Sequence, residues 1–141
     1  MLAKTSRLSL YDLGLLTWQD EILPRPVQNL LFLEQDTLAW MREHLERVDL
    51  DLYLSVCGTW GCLAGFYEAR RYAEPDRDRF FSREGLGGEF LVEPSSVDLV
   101  LLFGSASSGT LEQRATRLRS LIRDRLADLD KAEQGEQGER A

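Results

Sequence analysis

A chain of 141 residues that is 43% apolar and 29% charged has the make-up of one globular domain, which excludes a fibre, a disordered polymer and a disulfide-dense miniprotein. Its net charge of −7 disfavours a partner held by its phosphate backbone, because nucleic-acid binders carry a basic excess or a basic face. The basic residues are lopsided, 15 Arg against 2 Lys.

Residues 1–24 read two ways. Leu8, Leu10 and Tyr11 alternate as a strand would, whereas Leu13, Leu15, Leu16 and Trp18 suit a helical turn. Pro24 and Pro26 close the segment. From 27 to 47 the spacing of Val27, Leu31, Leu38, Met41, Leu45 and Val48 predicts a helix, with a possible break at Asp36–Thr37, two good N-caps. Leu30, Phe32, Leu33 and Trp40 widen its apolar surface, so it should be buried on more than one side. Between 48 and 56 the period becomes two: Val48, Leu50, Leu52, Leu54 and Val56 alternate with mostly polar residues, the pattern of a half-buried strand. A helix capped by Thr59 should follow, running to about Tyr72. Gly and Pro punctuate 73–96, with a short strand expected around Phe90 and Val92. The apolar run 97–103 suits strand or helix equally. Thr110 and Gln113 make a capping box, and Leu111, Ala115, Leu118, Ile122, Leu126 and Leu129 then mark a helix about 30 Å long at 1.5 Å per residue. Residues 131–141 have no apolar anchor and are expected to be a disordered acidic tail behind a single domain, 1–130. The expected fold class is therefore α+β, mainly α: two long amphipathic helices, a shorter central helix and a small β element.

No run of 18 apolar residues and no signal-peptide core are present, so no membrane partner is expected and the cytoplasm is the default compartment, where Cys57 and Cys62 would be thiols and not a disulfide. Cys57 precedes a predicted helix N-terminus, where a thiolate would be favoured. A cysteine-dependent hydrolase would need a base, and His44 is the single histidine. It lies before the cysteine, the reverse of the papain-like order that Cys-Gly-Thr-Trp loosely suggests. Cys57, Cys62 and His44 fall short of the four ligands of a structural zinc site, so no metal and no cofactor are expected. Asp49 and Asp51 share one face of the predicted strand, most simply its solvent side. Neither Gly85-Leu86-Gly87-Gly88 nor the 104–109 loop matches a phosphate-binding pattern. Arg114, Arg117, Arg119, Arg123 and Arg125 flank the apolar stripe of the last helix, a layout suited to carboxylate pairing or to a partner surface. Any exposed tryptophan, Trp60 included, would be an anchor for a partner.

Cys57-Gly58-Thr59-Trp60-Gly61-Cys62-Leu63-Ala64-Gly65, with Leu102-Phe103-Gly104 and Thr110-Leu111-Glu112 after it, resembles a Cys-Gly-Thr-x-x-Cys-x-Ala-Gly motif of small uncharacterised bacterial and bacteriophage proteins. Trp60-Gly61 and Phe66 depart from that pattern. The resemblance spans roughly residues 48–125, although its specific part is nine residues, and it implies a mainly helical domain with no transferable catalytic residues. The resulting expectation is a non-enzymatic protein-binding module. In a phage setting it would be an accessory factor docking on a host protein such as RNA polymerase or a defence complex. A hydrolase using Cys57 with His44 is the alternative.

Overall fold

The structure is a computed structural model that describes residues 6–55, 58–73, 75–82, 88–90 and 97–140, without side chains at 97, 99 and 135–140. The α-helices named among the described residues are α1 (Arg7–Asp12), α2 (Arg25–Phe32), α3 (Ala39–Glu43), α4 (Leu63–Tyr72), α5 (Arg77–Phe80), α6 (Val97–Phe103) and α7 (Leu111–Arg140).

The described residues contain no sheet, so the expected α+β class is corrected to α. Residues 48–55 contribute only two isolated bridges, Val48 and Leu54 each to Gly61. Their alternation is that of an extended segment with one side on the core, but no second strand lies beside it. Instead Asp49 turns the chain, its carbonyl accepting from Leu52 N at 3.2 Å and its Oδ1 from Asp51 N at 3.0 Å. The second strand expected around Phe90 and Val92 is also not formed where the chain is described: Gly88–Phe90 is a helical turn, and 91–96 lie outside the described residues.

Helix α1 is short and is finished at both ends. Ser6 caps it through Ser9 N, and Asp130 of α7 accepts from Arg7 N at 3.0 Å and Leu8 N at 3.2 Å. Gly14 (φ 74°) ends it in a Schellman arrangement, with Gly14 N donating to Tyr11 O and Leu15 N to Leu10 O. The predicted 27–47 helix forms as α2 and α3, joined by a π-helical turn over Leu33–Leu38, and ends in a 3₁₀ turn, Leu45–Arg47. The chain widens at the expected break and does not stop there. Asp36 is unavailable as a cap because Arg70 holds its carboxylate at 2.6 Å. The same turn sends Glu34 to the Tyr11 hydroxyl at 2.7 Å and Gln35 to Leu16 O and Trp18 N, fixing the α1–α2 connection.

The run 97–103 is helical, with Leu102 and Phe103 buried and Val100 on the surface. In α7, Leu111, Ala115, Leu118, Ile122 and Leu126 are all buried, and the Thr110–Gln113 capping box forms as expected, at 2.8 and 3.1 Å. Described backbone continues as helix across 131–140, and Glu133 pairs with Arg7 at 2.6 Å.

The core has two parts. Leucines of α2, the π turn and α7 make an aliphatic half, including Leu30, Leu31, Leu38 and Leu118. Tyr67, Phe80, Phe90 and Phe103 make an aromatic half, with ring centroids 4.9–5.8 Å apart at neighbouring pairs such as Tyr67–Phe90 and Phe80–Phe90.

Candidate functional site

The most distinctive part of the sequence, residues 44–65, folds where it is described, at 44–55 and 58–65, as a wrap around the N-terminus of α4. Helix α4 begins after Cys62, not after Thr59, because the backbone of Tyr53 and Leu54 lies directly on this end of the helix. A side chain at Gly65 would put its Cβ 1.7 Å from Tyr53 O, and one at Gly61 would sit 2.8 Å from the same oxygen. The two glycines therefore provide the close approach. The Tyr53 carbonyl accepts from Cys62 N at 3.2 Å, and the Tyr53 hydroxyl donates to buried Glu68 at 2.9 Å. Glu68 also accepts from Asp76 N and from Arg79, so this carboxylate is fully used in joining three segments.

Beyond Tyr53 the chain makes a tight loop. The Ser55 hydroxyl accepts from Thr59 N at 2.9 Å and Trp60 N at 3.0 Å, while Ser55 N donates to Trp60 O at 2.8 Å. Gly58 supplies the left-handed residue of the turn (φ 74°). Trp60 is thus held by its own backbone yet 49% exposed. Gly61 N donates to Arg47 O and Asp49 N to Gly61 O, which sets Trp60 beside the 45–49 turn. Leu45 is exposed on that turn, in the company of exposed Glu43, Glu46, Arg47 and Asp49.

Cys57 lies outside the described residues. His44 ends α3, where its Nδ1–H donates to Trp40 O at 2.8 Å and its ring stacks on Trp40 at 4.3 Å. A carbonyl only accepts, so this bond places the tautomer's proton on Nδ1. Cys62 is buried, directs its thiol at Tyr53 O (3.6 Å), and is pushed above its ordinary pKa by burial, the opposite of an activated nucleophile. Asp49 and Asp51 serve the backbone, Asp51 accepting from Ala106 N at 2.9 Å. Among the described residues no group of three or more His, Cys, Asp or Glu side chains could hold a metal ion, and no helix is long and apolar enough to cross a membrane.

The arginines of α7 are turned to the fold. Arg114 is buried, 1% exposed, and donates to the carbonyls of Leu102, Gly104, Ser105 and Gly109, so it contributes nothing to an exterior face. Arg117 pairs with Asp98, and Arg123 with Asp12. Arg119 lies over the Tyr11 ring at 4.7 Å and 3.7 Å from Asp12, and Arg125 is half-buried. Of the expected partner-binding residues, Trp60 and Arg119 are exposed, Arg119 over Tyr11 and beside Asp12, and Trp60 is the aromatic one, on a loop fixed by Ser55.

Family models, curated proteins and solved structures return no match to this chain. Function has to be read from the geometry itself.

Sequence reading missed three tyrosine–carboxylate pairs, because nothing in their spacing announces them: Tyr11–Glu34, Tyr53–Glu68 and Tyr67–Glu89. Burial first, and the adjacent carboxylate second, raise all three hydroxyls above the ordinary tyrosine range. The folded state thus keeps protons that the unfolded chain gives up, so stability is intact below pH about 10 and falls as the pH climbs beyond it. Tyr11 and Tyr67, the two most buried, together set a loss of about 3 kcal/mol per pH unit there. Urea unfolding between neutral and alkaline pH should show this decline, and Tyr67→Phe should make it shallower. An unchanged slope in the variant would contradict the assignment.

Proposed function

We propose that the protein is a non-enzymatic protein-binding module anchored by Trp60. The observation that carries this reading is the exposed indole on a loop already fixed by Ser55. A large aromatic held in place loses little conformational freedom on docking, and tryptophan is the residue type most enriched among interface hot spots. Leu45, 62% exposed, extends the apolar contact. Glu43, Glu46 and Asp49 are exposed on the same stretch, and so is Arg47, so the rim around the apolar contact is of mixed charge. The partner this surface suits is a protein offering an apolar pocket; the net −7 of the chain disfavours a phosphate backbone. The resemblance of residues 57–65 to a motif of small uncharacterised bacterial and bacteriophage proteins favours a host protein in that role.

Parallel affinity capture with the wild-type chain and Trp60→Ala, at low and high salt, tests the proposal. The expected result is a protein retained by the wild type at both salt concentrations and lost with the variant, while both chains show the same thermal unfolding. Recovery of the same proteins by both chains, or of none at any salt concentration, would overturn it.

A further inference from the structure

We infer that the cavity between residues 50–54 and the ends of α5 and α6 is a binding site for a small carboxylate with an apolar body. The cavity measures about 430 Å³ and is lined on its apolar side by Leu50, Leu54, Cys62, Phe81 and Phe103. That volume falls in the range of small-ligand pockets, roughly 300–1,000 Å³. Arg77 is the one cation on its lining. Unlike Arg70, Arg79 and Arg117, it is paired with no carboxylate among the described residues. A second cavity, about 450 Å³, shares Tyr53, Leu54 and Arg77 with the first, so Arg77 borders both.

The charges nearby narrow the ligand. Asp51 lines the first cavity and Asp76 the second, but each is committed to a backbone N–H, Asp51 to Ala106 and Asp76 to Arg79. Asp51 also lies in the field of buried Arg114. With both carboxylates held by backbone N–H groups, the guanidinium of Arg77 is the group that can meet a ligand charge, and the carboxylates beside it penalise a dianion such as a phosphate monoester more than a monoanion. A guanidinium meets a carboxylate through two parallel hydrogen bonds, and the ligand's body then enters the cavity that holds the leucines and phenylalanines. Cys62 keeps that wall uncharged, since burial holds its thiol protonated. Trp60 lines neither cavity, so this site is separate from the proposed docking face.

Phenylbutyrate, phenylbutanol and phenylbutylamine, titrated into the full chain by calorimetry and by NMR, provide the test. Phenylbutyrate should bind saturably and perturb the signals of Leu50, Leu54, Phe81 and Phe103. The alcohol should bind about tenfold more weakly, and so should the acid to Arg77→Gln, in line with the loss of a charge-assisted bond. The amine should bind more weakly than the alcohol, and Trp60→Ala should leave phenylbutyrate binding unchanged. Arg77 is exposed and outside the core, so its variant keeps the fold. Absence of saturable phenylbutyrate binding, equal binding of acid and alcohol, or indifference to Arg77→Gln would each overturn the inference. None of these outcomes bears on Trp60-dependent protein capture.

Discussion

Gly65→Ala is expected to destabilise the protein by about 3 kcal/mol or more, a large share of the roughly 5–15 kcal/mol that a domain possesses. Alanine is ordinarily the better helix former by about 1 kcal/mol, so propensity alone predicts the opposite sign. Sterics win because the new methyl carbon would lie 1.7 Å from Tyr53 O and 2.7 Å from Tyr53 C, backbone atoms that no rotamer change can move. Residues 53–54 would have to lift off α4, breaking the Cys62 N–Tyr53 O bond and pulling the Tyr53 hydroxyl from Glu68. Gly88→Ala is the control, since nothing lies within 4 Å of its Cβ position. Urea midpoints for the two variants check the contrast; equal midpoints would contradict the close approach.

Arg114→Met is expected to cost about 3–5 kcal/mol, although the substitution retains apolar bulk. The guanidinium is the meeting point of the 102–109 connection, donating to Leu102 O at 3.0 Å, Gly104 O at 2.7 Å, Ser105 O at 2.5 Å and Gly109 O at 3.1 Å. Those oxygens include the C-terminal end of α6, where helical carbonyls lack intrahelical donors. Removing the donors leaves these carbonyls without the bonds that offset their desolvation. Arg114→Lys should recover only part of the loss, because a single ammonium cannot span four acceptors that a planar fork reaches. The ordering wild type, then Lys, then Met in chemical denaturation is the expected result, and full stability of Arg114→Lys would show that the fork geometry is immaterial.

The legible parts of the fold are those whose signal is self-contained. Helix α7 announces itself through its capping box and its apolar repeat, both of which depend only on neighbours within two turns. The alternation at 48–55 misleads for the complementary reason: period two reports that one side of a segment is buried, and is silent on whether a strand or a helix end buries it. Gly61 and Gly65, four apart at a helix start, were the available sign that a backbone rests there. Arg114 also had a sign. It falls three residues after Leu111 and four before Leu118, on the apolar stripe itself, where an arginine persists only if its hydrogen bonds are met inside. As for the site, Trp60 was readable as an anchor by residue type, but its exposure and the role of Arg77 depend on tertiary placement that one sequence does not encode locally.

The cap that Asp130 places on α1 has a consequence for the order of assembly. Helix α1 has six residues, too few to persist alone in water, and two of its first amides are satisfied from 122 and 123 residues away. So short an element, held by a side chain that far away, should be a late piece to dock and the first to detach, and its amides should exchange with solvent well ahead of those in α4.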